Sequence, residues 1–228
     1  CSMSVKQDFQ VKKVSRRKWV QWVLNRHYAK RIPPVEHAFG LFKAEELVGV
    51  LTVGTPVSST LRNAWGGVFK VMELNRLVVN NGLPKNCLSF FVSQSLAMLP
   101  SPIVIISYAD TSMGHHGYIY QATNWIYTGL SLKFRDPMVK GMEHQHHSTI
   151  EDLARGKEDR MGYLRQLFGD RLYYIDRPQK HRYVMFLGTK HEKRGMKEKL
   201  PWKIEPYPKG QNSRYDSSGT IADQLELF

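Results

Sequence analysis

Apolar residues recur along most of the chain in short blocks whose spacing switches between helical and extended periods. From Ser15 to Tyr28, Trp19, Trp22 and Val23 share one helical face behind a serine able to cap, which predicts a first helix. His37 to Phe42 and Leu47 to Val53 are apolar runs separated by the polar Lys43-Ala44-Glu45-Glu46, the pattern of an antiparallel hairpin. Phe69 to Val79 alternates as a third strand, and Asn80 to Asn86, with Gly82 and Pro84, breaks it. Cys87 to Leu99 then repeats apolar residues at helical spacing until Pro100 and Pro102 stop it. Ile103 to Ser107 is a continuous, mostly β-branched run, as expected of a strand covered on both faces, and it delivers Tyr108-Ala109-Asp110 to its C-terminal end. Tyr118 to Trp125 fits a short helix, and Ile126 to Phe134 a further strand with Gly129 at a turn or bulge.

Beyond Phe134 the pattern weakens. Pro137 to Gly169 is polar and His-rich, with helices predicted from Ser148 or Thr149 through Ala154 and from Tyr163 to Phe168, and residues 137–170 read as an insertion. Tyr183 to Gly188 makes a last strand, Lys190 to Lys203 is a basic stretch, and the tail from Lys209 is rich in Ser, Gly and Asp and expected to be disordered. The expected organisation is an N-terminal arm over 1–13, opening with a Cys1-Ser2 cloning scar ahead of Met3, one α/β domain over 14–209, and a flexible tail over 210–228.

Charge narrows the partners. The 228 residues carry 33 Lys and Arg against 20 Asp and Glu, a net +13 that attracts polyanions, either nucleic acid or an anionic membrane surface. No apolar run approaches the about 18 residues needed to span a bilayer, and no secretion signal opens the chain, so the expected location is cytoplasmic, with no membrane partner. With only Cys1 and Cys87, a disulfide framework or a zinc quartet is excluded.

The element order, with Glu73-Leu74-Asn75-Arg76-Leu77-Val78-Val79 ahead of a loop and helix, resembles the core of the GNAT acyltransferases: a mixed central sheet flanked by helices. The string Ser107-Tyr108-Ala109-Asp110-Thr111, then Gly114-His115 and Gly117-Tyr118-Ile119-Tyr120-Gln121-Ala122-Thr123-Asn124-Trp125-Ile126-Tyr127-Thr128-Gly129, together with Arg182-Tyr183 and Pro206-Tyr207-Pro208-Lys209, is similar to the signature of the phage Mom family of adenine-modification proteins. The resemblance covers roughly Val14 to Lys209. It implies an enzyme that transfers a small group to N6 of adenine in double-stranded phage DNA, giving a carbamoylmethyl adduct that protects against restriction. One departure concerns the donor. GNAT enzymes that use acetyl-CoA place an Arg/Gln-x-x-Gly-x-Gly/Ala loop where this chain has Asn80 to Asn86, with Gly82 alone, so the pyrophosphate cradle is not spelled out. Asn81, Gly82, Ser89 and Arg76 are the residues left to hold a donor.

The product points to glycine, since an acetyl group has two carbons and no nitrogen whereas a glycyl group has both. Glycyl-tRNA is therefore the favoured donor and acetyl-CoA the alternative. Among the residues that match the family, Asp110 is a base or orienting carboxylate for the adenine amine, or else a turn or capping Asp. Arg76 would hold donor phosphate or polarise the acyl carbonyl, or else partner Glu73. His27 and Tyr28 close the first helix, where His27 would shuttle a proton or cap the helix. Tyr118 or Tyr120 would contact the base or the leaving group, Tyr120 being otherwise a core residue. His27, His115 and His116, with His144, His146 and His147, are weak metal candidates without a standard ligand spacing, or else part of a solvated loop, and a metal role stays open. Trp65, Trp202 and Tyr207 among basic residues suit a protein that extrudes a base, or else they pack.

The last five residues, Gln224-Leu225-Glu226-Leu227-Phe228, are similar to the pentapeptide that docks bacterial DNA-repair and replication proteins on the polymerase sliding clamp. Gln224, Leu225, Leu227 and Phe228 would make the contact, unless the tail folds back on the domain. The rival reading from another class is a non-catalytic DNA-binding protein, an anti-restriction or replication accessory factor on the same fold.

Overall fold

The computed structural model describes residues 5–26, 32–145 and 147–210. Its frame is a seven-stranded sheet in the order β1-β2-β3-β4-β5-β9-β6. The strands are β1 (Phe9–Lys13), β2 (His37–Lys43), β3 (Glu46–Gly54), β4 (Lys70–Val79), β5 (Ile103–Asp110), β6 (Ile126–Leu130) and β9 (Lys180–Leu187). β1 to β4 are antiparallel neighbours, β4 and β5 run parallel, and β9 lies antiparallel between β5 and β6. A second, two-stranded sheet pairs β7 (Phe134–Val139) with β8 (Leu172–Arg177).

Both faces of the main sheet are covered, as the β-branched run of β5 requires. On one face α4 (Cys87–Ala97) and α5 (Tyr118–Ala122) pack with Phe39, Leu51, Met72, Phe91 and Ile105. On the other, Val104, Ile106 and Val184 meet Trp65 and Met196, the latter from α8 (Lys190–Glu198). The Trp65 indole N–H donates to the Met196 carbonyl at 2.8 Å, so Trp65 is a packing residue rather than a base-stacking one. α2 (Arg16–Arg26) lays Trp19 and Val23 against Ala38 and Val50. The short α1 (Val5–Asp8) and α3 (Ser59–Arg62) fill corners. No helix among the described residues is long and apolar enough to cross a membrane.

Several elements depart from the sequence reading. Phe9–Lys13, within the expected arm, is the edge strand β1, because its partner β2 offers a free edge that only pairing satisfies. Ile126 to Phe134 is not one strand. β6 stops at Leu130, beside Gly129 at φ +81°, and the chain leaves for the small sheet. β9 starts at Lys180 rather than Tyr183, since its first residues pair with Tyr108–Asp110. Within 134–177, α6 (His147–Leu153) and α7 (Arg160–Phe168) bury Ile150 and Leu164 with Val139 and Ala154 beside the β7–β8 hairpin, and β8 has no counterpart in the sequence reading.

The feature that creates a cleft is the parting of β4 from β5. Their ladder runs only from Lys70↔Ile103 to Leu74↔Ser107, although β4 continues to Val79 and β5 to Asp110. On the other side of β4 the register with β3 slips, Val53 pairing with Leu74 but Thr52 with Arg76, so Asn75 is the extra residue of a bulge. Thr52 donates to its amide oxygen at 2.6 Å and its amide nitrogen donates to the Pro34 carbonyl at 2.8 Å. Beyond Leu74 and Ser107 the two strands are no longer paired, which leaves a gap between their ends.

Gly117 sets the floor beneath that gap. It sits at φ +75°, and a Cβ there would lie 2.3 Å from the Tyr183 ring. Gly117→Ala should destabilise the fold by about 2 to 4 kcal/mol from overpacking and left-handed backbone strain, read by chemical denaturation.

Candidate active site at the parted strand ends

Three groups meet where the ladder ends. The Leu74 carbonyl accepts from Ser107 Oγ at 2.8 Å, and that oxygen lies 2.7 Å from the Tyr120 phenol oxygen. A carbonyl only accepts, so the Ser107 proton is committed to Leu74 and the Tyr120 phenol donates to Ser107. The Tyr120 ring is 7% exposed and packs against Trp125 and Tyr183 at 5.0 and 5.1 Å. It is therefore a core ring, with its phenol at the apex of the gap, and does not present a face for stacking on a base. Tyr118, the first residue of α5, is 61% exposed and is the accessible aromatic of that helix.

Asp110 ends β5 on the rim. Its Oδ1 accepts from the Ser112 amide at 3.0 Å and the Ser112 hydroxyl at 2.6 Å, and Lys180 Nζ lies 3.4 Å from Oδ2. Burial alone would raise this carboxyl, but the Ser112 hydrogen bonds and the Lys180 charge outweigh it and hold it below the usual carboxylate range. Asp110 is thus anionic at neutral pH and suited to accepting from an amine N–H rather than to removing its proton. It also caps the turn Thr111–Met113, which is the turn or capping role that the sequence allowed for it.

Across the gap, Arg76 donates to the Asn75 carbonyl at 2.7 Å. Burial raises the Glu73 carboxyl, opposed by the charges of Arg76 and Lys180, which places all three groups within electrostatic reach. Arg76 is thus close enough to influence Glu73, while its guanidinium hydrogen-bonds the Asn75 carbonyl. The loop 80–86 is tied to α2, where Arg26 donates to the Asn80 side-chain oxygen at 2.5 Å. Asn81 and Gly82 are exposed, Gly82 at φ +73°. Ser89 donates back to the Asn86 carbonyl at 3.0 Å, and the Cys87 amide to Pro84 at 3.1 Å, so part of the expected cradle closes on itself. His27, Tyr28 and residues 211–228, with Gln224, Leu225, Leu227 and Phe228, lie outside the described residues.

The histidines fall into two places. The His115 amide donates to the Asp110 carbonyl at 3.2 Å, and burial lowers its imidazole pKa against the opposing pull of Asp110. The His116 ring lies 5.7 Å from that of His181, whose Nδ1 is 2.8 Å from the Tyr127 phenol oxygen. Neither His115 nor His116 belongs to the one group of three metal-ligating side chains among the described residues, which is Asp136, His147 and Glu151. There the Arg177 Nε donates to both Asp136 oxygens, at 2.9 and 3.1 Å, so a guanidinium already fills the acidic site.

Much of the string that carried the family resemblance forms the floor. Gln121 donates to the Tyr183 hydroxyl at 3.0 Å, Tyr183 donates to the His116 carbonyl, and Tyr207 to the Trp125 carbonyl at 2.6 Å. The Arg182 guanidinium is buried on Thr128 Oγ1 and carbonyl, both at 2.9 Å, with Trp202 stacked 3.9 Å away. Two site residues escaped the sequence reading. Ser107 is an ordinary small residue until the end of the ladder is known, and Lys180 stood outside the predicted strand.

A carboxyl whose folded-state pKa is depressed contributes stability above its unfolded value, lost as pH falls through the folded one. Asp110→Asn should therefore flatten the fall of melting temperature below about pH 4, measured by thermal denaturation from pH 7 to 2.5, with little slope change near neutrality.

Comparison with known proteins follows the same span. The Mom protein family model matches residues 8–209. The methylcarbamoylase Mom of Escherichia phage Mu is 30% identical over 197 residues, 82% of this chain and 78% of that protein. Among solved structures, a polyamine N-acetyltransferase of Drosophila melanogaster has a TM-score of 0.43 at 12% identity, covering 79% of this chain and 100% of that one. A GNAT-family acetyltransferase of Bacillus cereus gives 0.40 at 13%, covering 79% and 99%. By the extent of the family match and by identity to the phage Mu protein, this chain belongs to the Mom protein family.

Proposed function

We propose that this protein is a DNA-modifying acyl-transfer enzyme that places a glycyl-derived group on N6 of adenine in double-stranded phage DNA, leaving a carbamoylmethyl adduct that protects it from restriction. The observation that carries the reading is the gap between β4 and β5, with the anionic Asp110 on its rim, in a chain 30% identical to a methylcarbamoylase. Asp110 accepts from the adenine N6–H and holds the amine lone pair toward the acyl carbon. Tyr118 faces the base, while the Ser107–Tyr120 pair holds a proton at the apex. Arg76 faces the acyl carbonyl or donor phosphate.

The chemistry balances with an activated glycine and nothing else. Adenine N6 attacks the glycyl carbonyl and expels the carrier hydroxyl, forming an amide. The glycyl amine then attacks C6 through a five-membered ring, the C6–N6 bond breaks, and the former N6 leaves as the carboxamide of C6–NH–CH2–CO–NH2. Glycyl-tRNA is the favoured carrier, and the +13 chain suits a polyanionic donor as well as a polyanionic substrate. Acetyl-CoA is the alternative, with its phosphates on the exposed Asn81–Gly82 segment. A second reading, a non-catalytic DNA-binding protein, draws on the commitment of Asp110 to Ser112 and Lys180. The tail residues Gln224, Leu225, Leu227 and Phe228 belong to the proposal as a sliding-clamp contact.

Plasmid DNA from cells expressing the protein and fed labelled glycine should yield a heavier, labelled deoxyadenosine by nucleoside mass spectrometry. Label arriving from acetate instead would replace the donor, and unchanged nucleosides from well-expressed protein would favour the binding reading. Asp110→Ala should lower the modified fraction at least about 100-fold with DNA affinity retained. Deleting the last five residues should abolish binding to purified sliding clamp and leave modification of free DNA intact, measured by surface plasmon resonance beside the nucleoside assay.

A further inference from the structure

Between the two sheets the chain passes through an extended segment in which Leu130, Leu132 and Phe134 are 43%, 72% and 50% exposed. Alternate residues thus form an apolar ridge, with Ser131 and Lys133 between its members and Arg135 just after the last of them. Exposed apolar residues scattered singly need no explanation, but two leucines and a phenylalanine at alternate positions are not scattered. The ridge is also held in place. The Ser131 amide donates to the Lys180 carbonyl at 2.8 Å, the Lys180 amide donates to Ser131 Oγ at 3.0 Å, and Gln179 donates to the Ser131 carbonyl at 2.6 Å. The same two partners reach the candidate active site. Lys180 Nζ faces Asp110 at 3.4 Å, and Thr111 Oγ1 donates to the Gln179 carbonyl at 2.5 Å.

Resting on the DNA-modification reading above, we infer that Leu132 is the wedge that enters the base stack of duplex DNA as the target adenine swings out toward Asp110. The N6 of a paired adenine is engaged with its partner base, so acylation there needs the nucleotide extruded, and extrusion leaves a gap that water fills poorly. Leucine suits the gap, because it is apolar, carries no donor or acceptor, and is among the side chains that proteins insert between base steps. Leu132 stands one position from the Ser131 anchor, at maximal display, whereas Leu130 is still paired with β9 at His181. Charge complementarity names the occupant. Lys133 has no carboxylate within ion-pair distance among the described residues, and Arg135, paired at 3.2 Å with the exposed Asp176, keeps most of its side chain in solvent; both can face phosphates flanking the opened step. An acidic or apolar protein surface would lack the vacancy that a single projecting leucine fills.

The test uses a short duplex containing an adenine that the wild-type protein modifies in bacterial extract, which supplies the donor, beside the same duplex with an abasic site opposite that adenine. Leu132→Ala should lose about tenfold or more of the modification on the paired duplex, regain most of it on the abasic one, and bind both with an unchanged salt dependence. Leu132→Phe, which restores an apolar insert, should keep activity on paired DNA. Equal loss on both duplexes, or no loss on the paired one, overturns the wedge while leaving the enzyme reading intact. A change in the oligomeric state of Leu132→Ala with modification unaffected assigns the ridge to a second copy and also overturns it. If the wild-type protein modifies no adenine in any DNA, the enzyme reading itself fails.

Discussion

The arrangement depends on where one parallel ladder stops. Backbone amides and carbonyls out of contact with water need partners, and a strand that leaves its neighbour must find others. β4 remains joined to β3 through the Asn75 bulge, and β5 remains joined to β9 through Asp110, so each strand is still paired on one side when the two diverge. The Leu74 carbonyl at the branch point is satisfied by Ser107. The opening is thus stabilised from both flanks and needs no ligand to hold it.

The electrostatics divide the gap into two sides with different tasks. Asp110, held low by Ser112 and Lys180, keeps its charge through any ordinary pH. Glu73, pushed up by burial, is the carboxyl of the pair whose proton is easier to keep. Lys180 acts on both, so its charge couples the two sides of the gap. Removing it would release Asp110 upward and Glu73 further upward, changing two groups at once. A cation in this position also lowers the cost of bringing phosphates near two carboxylates.

The sequence made the central frame legible because β2 to β5 and α4 are long, apolar and strongly periodic. It made Asp110 legible because a continuous β-branched run had to end somewhere and ended there. It failed where pairing rather than periodicity decides. β1 is half polar and exists because β2 has an edge to fill. Lys180 to Arg182 are polar, and they are strand because Tyr108 to Asp110 need partners. The separation of β6 from β7 turns on Gly129 and on the anchor at Ser131, contacts between residues 49 positions apart. Tyr120 was read as a candidate for the base because of its place in the family string, whereas two aromatic neighbours and a serine make it part of the floor.

The insertion of β9 between β5 and β6 has a consequence for how the protein is made. As the chain leaves the ribosome, β5 is complete at Asp110 and β6 at Leu130, yet the strand that joins them begins only at Lys180. For the synthesis of about fifty residues both strands present open inner edges, the surfaces most prone to wrong pairing. The intervening β7–α6–α7–β8 segment carries its own small core, so it can collapse locally and bring its two ends, Phe134 and Arg177, together. That closure shortens the effective loop between β6 and β9 to the few residues on either side of it. The His-rich segment thus holds the end of β6 and the start of β9 a few residues apart, beside the slot that β9 fills.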